Sequence, residues 1–156
     1  MTRGRRHRGA LVALLLLAAC QRTTGTLDAE QQRRFEAEGI VRRAVDLPIR
    51  RTREGTWKES LASIVVTKQR VVIHQDDYFW LEITPRSTGV YEVARDHERL
   101  SLRAGSGTSA TSWSFRPPDD PAGWAEDVRT VIRGSAGAKR RARDRIRERR
   151  RLRRWR

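Results

Sequence analysis

One cysteine, one methionine and three histidines are all that the chain offers to redox or metal chemistry. Cys20 has no second thiol to pair with inside the chain, so a disulfide framework is excluded. A metal centre normally needs three or four converging ligands. His7, His74 and His97 are too scattered to suggest one, and His74-Gln75-Asp76-Asp77 reads as a turn with solvated carboxylates. Acid is scarce at the ends. Residues 1–20 hold Arg3, Arg5, Arg6 and Arg8 without any Asp or Glu, and residues 138–156 hold twelve basic residues against Asp144 and Glu148. The stretch between is almost neutral, so the formal net charge of +15 belongs to the two ends. Such asymmetry speaks of partners rather than of fold. Long apolar runs are also absent. The longest, residues 10–19, has ten residues, half of the roughly 20 that a bilayer-spanning helix requires. A length of 156 residues allows one domain with tails.

What is present at the N-terminus is a basic segment, a short apolar run and small residues, the layout of a secretory signal. The run ends in Leu17, Ala18, Ala19 and Cys20. This tetrapeptide resembles the bacterial lipobox. The resemblance implies a signal peptide over residues 1–19, a diacylglyceryl group on the Cys20 thiol, and fatty acylation of the amine freed by cleavage. Residues 20–26 would then be a lipidated tether. Two or three acyl chains, at about 0.8 kcal/mol per buried CH₂, anchor far more firmly than one. Gln21 follows where an Asp would retain such a protein at the inner membrane. The resemblance therefore implies the bacterial cell envelope, at the outer membrane facing the periplasm.

Residues 27–56 read as a helix and a linker. Asp28 suits a cap, and Phe35, Ile40, Val41 and Ala44 give a thin apolar stripe, interrupted by Gly39, that carries the helix to Val45. From Trp57 the period changes. Residues 63–67 and 70–74 are β-branched runs around Lys68-Gln69, a hairpin signal. Asp76-Asp77 mark a turn, and residues 78–84 alternate, with Tyr78 and Trp80 opposite Phe79, Leu81 and Ile83 until Pro85. Residues 90–94, 100–104 and 111–115 give three more strands. Trp57, Tyr78, Trp80 and Trp113 are expected in the core. A helix follows, capped by Asp119 or Asp120, with Pro121 in its first turn and Gly134 as its stop. Trp124, Val128, Val131 and Ile132 share one of its faces.

The predicted fold is α+β: a small bent antiparallel sheet or partly open barrel, capped by that helix, with an N-terminal helix and a basic C-terminal tail. This order, with Thr67 ending one strand, Arg70 opening the next, and Trp113 and Trp124 closing the pattern, resembles the bacterial pleckstrin-homology-like fold. The resemblance spans residues 57–134; another small α+β or split-barrel fold remains the alternative. It implies no single activity, because fold does not fix function. The Gly/Ser segment 105–109 lacks the later Gly and Lys of a phosphate loop, and no nucleophile stands out. The expectation is a protein without enzymatic activity, metal or cofactor.

Residues 135–156 form the basic tail. Gly134, Ser135, Ala136 and Gly137 read as a hinge. Beyond it Ala138, Ala142, Ile146, Leu152 and Trp155 cover about half of a helical wheel, with Arg filling most of the rest. Such a segment is expected to be disordered, or to become helical on an anionic surface. Arg140, Arg141, Arg145, Arg149 and Arg150 are the candidate contacts, with Trp155 seated at the interface. An envelope location points to anionic lipid, lipopolysaccharide or an acidic envelope protein, and away from nucleic acid. The competing reading is an intracellular nucleic-acid-binding protein with a false signal peptide. On the lipoprotein expectation, Cys20→Ser should move the protein from the membrane to the soluble fraction and leave its N-terminus unprocessed. A variant that still pellets with membranes after a high-salt wash would contradict it.

Overall fold

The computed structural model describes residues 27–75 and 78–153. The first element, α1 (Ala29–Glu38), starts on a reciprocal cap: the Asp28 carboxylate accepts from the backbone N–H groups of Glu30 and Gln31, and the Gln31 side chain accepts from the Asp28 N–H. It ends earlier than the apolar stripe suggested. Gly39 adopts a φ of 76°, a left-handed value that stops the helix, and returns its N–H to the Glu36 carbonyl. Residues 40–53, expected to continue the helix and then to link, instead form strand β1 (Ile40–Arg53). The turn into β2 (Thr56–Thr67) is the pair Glu54-Gly55, with φ of 50° and 78°, the positive values that a two-residue hairpin uses.

Five further strands follow: β3 (Val71–Gln75), β4 (Tyr78–Ile83), β5 (Tyr91–Asp96), β6 (Arg99–Ala104) and β7 (Thr111–Phe115). A single 3₁₀ turn, Gly107–Ser109, precedes β7. The described strands make one curled, open-barrel sheet of seven, in the order β4-β3-β2-β1-β7-β6-β5, with every pairing antiparallel. The fold class is α+β. β1 belongs to both halves: it pairs with β2 along its length and, through Arg50 to Arg53, with β7. Its register slips between Ala44 and Leu47, where Asp46 has a φ of 55°. Such a bulge bends a strand and increases its twist.

The concave face holds the main core. Ile49, Ile64, Val66, Val71, Ile73, Leu100, Leu102 and Phe115 are at most 1% exposed and meet Trp113 there. Helix α2 (Pro121–Gly134) lays Trp124, Ala125, Val128, Val131 and Ile132 into the same cluster. On the opposite face Leu27 and Phe35 cover Val65 and Val72. Both faces of β2 and β3 are thus buried, which is why residues 64–66 and 71–73 read as unbroken apolar runs. The alternation expected in β4 fails once. The register shifts between Ile73, opposite Leu81, and His74, opposite Phe79. This bulge sends Phe79 to the α1 side and brings Trp80 to the concave side beside Leu81. Trp57, expected in the core, is 61% exposed beneath the Arg50 guanidinium, 4.6 Å from its ring centre.

Two charged clusters lock the helices to the sheet. Arg70 pairs with Glu38 of α1 and Glu82 of β4. The Thr67 hydroxyl donates to Glu38 and accepts from the Arg70 N–H at 3.0 Å. Arg42 of β1 reaches the start of α2, donating to Asp127 at 2.7 Å and Asp120 at 3.2 Å. The hydrogen bond to Asp127 holds the Arg42 guanidinium above its ordinary pKa. Asp120, the α2 cap, is lowered by the Gly123 N–H and then by Arg42, so its contribution is present above the ordinary carboxylate range and fades as pH falls through the lowered value.

Trp124 is 1% exposed, meets Phe115 edge to face, and donates its indole N–H to Asp119 at 2.9 Å. Trp124→Ala should cost about 3–5 kcal/mol in equilibrium denaturation, as buried aromatic truncations do. A variant with an unchanged denaturation midpoint would refute this packing.

Candidate functional site

Residue Ser135 separates α2 from a second helix, α3 (Ala136–Arg153), which carries the basic tail. Ser135 is fully buried; its N–H bonds back to the Ile132 carbonyl, and its hydroxyl accepts from the Ala138 N–H, so it closes one helix and opens the next. The segment expected to act as a hinge is fastened to the loop between β4 and β5. Ala136 donates to the Pro85 carbonyl at 2.9 Å, Gly137 to the Ser87 carbonyl at 3.0 Å, and the Arg141 guanidinium to the Gly89 carbonyl at 3.1 Å. Gly137 is required by this approach: a Cβ there would lie 2.5 Å from the Gly89 oxygen and 2.6 Å from that of Thr88.

Past this root, residues 142–149 are all exposed. Of the candidate contacts, Arg140, Arg145 and Arg149 are exposed on α3, Arg141 is half-buried and bonded to the body, and Arg150 lies within the helical span. Cys20 and Trp155 lie outside the described residues. Ile146 and Leu152 are 52% and 58% exposed, so the apolar positions of α3 are not used for packing on the body. Among the described residues no ion pair involves α3. Its arginines instead repeat at i,i+4, as in Arg141, Arg145 and Arg149 or Arg143, Arg147 and Arg151, a spacing at which like charges repel.

A second cationic feature lies at the end of the β1–β2 hairpin. A cavity of about 270 Å³ is lined by Arg51, Arg53, Thr56, Trp57, Lys58, Gln75 and Trp80. Sequence reasoning missed it because three of these residues sat in the supposed linker. The available signal was Glu54-Gly55, a turn-forming pair ahead of the β-branched run at residues 64–67.

The two histidines singled out in the sequence beyond residue 20 lie in the two halves of the sheet. His74 is 1% exposed with its ring edge-on to Phe79 at 5.3 Å, and Asp76 and Asp77 lie outside the described residues. His97 is on the surface at the β5–β6 turn, beside Asp96. Among the described residues no group of three or more His, Cys, Asp or Glu could hold a metal ion, and no helix is long and apolar enough to cross a membrane. No protein-family model matches the chain, and no curated protein does.

The close approach at the α3 root separates two neighbouring glycines. Gly137→Ala should free the first turn of α3, seen as at least tenfold faster amide exchange at Ala136 and Gly137 with α2 still protected. Gly134→Ala, which meets nothing within 4 Å, should be tolerated and add up to about 1 kcal/mol of helix stability. Equal exchange in both variants would show that the root is not held by this contact.

Proposed function

We propose that this chain is a bacterial envelope lipoprotein, anchored through acyl chains on Cys20 at the outer membrane facing the periplasm, with a non-enzymatic binding or structural role. The body is read as pleckstrin-homology-like. Its support is the strand order, the sharing of β1 by both halves of the sheet, and the C-terminal helix whose Trp124 enters the core. In this reading α2 closes one end of the curled sheet.

The observation that carries the functional part is α3: a helix with ten basic residues against Asp144 and Glu148, rooted on the body and exposed beyond it. Eighteen residues give it a length of about 27 Å. An anionic surface would relieve the repulsion between successive arginines, each cation near such a membrane contributing about 1 kcal/mol. Ile146 and Leu152 would enter the headgroup layer, as apolar positions of interfacial helices do. Lipopolysaccharide phosphates or anionic phospholipids present the required charge.

The test uses the unlipidated full chain carrying Cys20→Ser, mixed with vesicles of neutral or anionic phospholipid. The chain should bind the anionic vesicles alone and release them as salt rises, because exposed charges are screened within about 8 Å at physiological ionic strength. Replacing Arg140, Arg145 and Arg149 by Gln, which spares the Arg141 contact, should weaken binding about a hundredfold at low salt, the equivalent of about 3 kcal/mol. Equal binding by this variant, or no binding by the parent at low salt, would overturn the membrane reading.

A further inference from the structure

Large apolar side chains left exposed among the described residues fall in two places: Ile146 and Leu152 on α3, and Val41, Val45, Trp57 and Leu61 on strands β1 and β2. Strand alternation sorts the second group. Ala44, Leu47 and Ile49 of β1 join the concave core, so Val45 and Pro48 stand on the outer face, with Arg43 before them and Arg50 after them. On β2, Ala62 and Ile64 point inward, so Leu61 points outward, and Pro48 is its register partner. In an unbroken strand residues 45 and 48 would lie on opposite faces. The register slip between Ala44 and Leu47 puts both on the outer one and so assembles the patch. Val45 and Leu61 are 44% and 42% exposed, and Pro48 is exposed beside them.

Isolated apolar residues on a surface are ordinary, whereas adjoining ones mark a contact. Elsewhere on this outer face the sheet is covered, with Leu27 and Phe35 over Val65 and Val72. Leu61 lies four residues along β2 from Val65, about 13 Å, and is beyond that cover. The route to Cys20 starts from the same face. Residues 20–26, which precede Leu27, span at most about 24 Å when fully extended. A chain anchored at Cys20 is therefore held with its outer face nearer the bilayer than its concave face, which α2 fills. The surroundings of the patch suit a shallow position. Arg43 and Arg50 are exposed on either side and can lay their stems along it. Asp46 at the bulge, and Glu59, which Arg50 meets at 3.8 Å, keep it out of the hydrocarbon. A second copy docked here would bring its own Arg43 and Arg50 against these, a repulsion that a lipid leaflet does not impose.

We propose that the outer face around Val45, Pro48 and Leu61 is a membrane seat, resting in the headgroup layer of the phospholipid leaflet that holds the acylated Cys20. The seat rests on the lipid-anchor reading and deepens it, because it gives the anchored body one orientation. α2 and the concave side then face away from the bilayer.

Cys20 is the chain's one cysteine, so in the acylated protein a single introduced thiol can carry a nitroxide label. The acylated full chain with Val45→Cys, or with Thr130→Cys on the exposed side of α2, is placed in vesicles of neutral phospholipid, where α3 has no anionic surface to bind. The label replacing Val45 should collide about fivefold less often with a water-soluble nickel chelate than the label replacing Thr130, as shallow interfacial burial requires. Leu61→Asp, at an exposed position, should leave the chain in the vesicles and restore those collisions. Equal collisions at the two positions, or shielding that survives Leu61→Asp, would overturn the seat while the anchor stands. Shielding that fades as the protein is diluted in lipid would give the face to a second copy instead. A free Cys20 thiol, or a chain that stays out of the vesicles, would overturn the anchor reading and the seat with it.

Discussion

Strand β1 is hydrogen-bonded to both halves of the sheet, and the rest of the molecule is arranged by that sharing. Over its length it holds β2, and behind β2 the strands β3 and β4. Over its last four residues it also holds β7, and behind that β6 and β5. A flat strand could not serve both. The register slip at Ala44 to Leu47 lets the chain bend where the two halves diverge, and Pro48, which has no N–H to give, follows at once. The curl gathers Ile49, Ile64, Leu102 and Phe115 around Trp124. The same curl leaves an opening at the hairpin end, where the inward residues are Arg51, Arg53 and Lys58.

The two helices on the body are held by different means. α1 covers the outer face with Leu27 and Phe35, and Arg70 binds its last turn through Glu38. The Thr67 and Arg70 pattern is therefore accounted for by structure, since Thr67 orders the turn and both residues hold Glu38. α2 uses apolar burial at its centre and Arg42 at its start. α3 has neither. Its polar length continues from a root of two backbone hydrogen bonds and one from the Arg141 guanidinium, and nothing among the described residues covers its exposed part. The proposed role at an anionic surface follows from that contrast between a fastened base and a bare, cationic remainder.

Much of the fold was legible from residues. The β3 hairpin partner of β2 follows from β-branched runs, strands β6 and β7 from short segments set between polar or Gly/Ser-rich connections, and the start of α2 from Asp120-Pro121, and the structure has them at those places. Residues 40–53 were not legible. Their five arginines and Pro48 hide a strand, because its polar residues line an opening or a solvent face while only Ala44 and Ile49 are buried. The apolar stripe of α1 happened to extend across Gly39 in helical phase. Hydropathy places an aromatic inside, but the outward side of the hairpin exposes Trp57; Trp80 does pack against the core, on a face given by the β4 bulge and not by alternation. The fastening of α3 was invisible too, since glycine chosen for close approach and glycine chosen for freedom look alike in a sequence. Among the proposed contacts whose side chains are described, Arg140, Arg145 and Arg149 are exposed and Arg141 is bonded to the body.

The proposal that this body works while tethered to a membrane is decided by intact mass spectrometry of the native product from membrane fractions. A lipid-anchored protein would give a chain that begins at Cys20 and is heavier than residues 20–156 by a diacylglyceryl group and one further acyl chain. A chain that begins at Met1, with an unmodified Cys20, would contradict it.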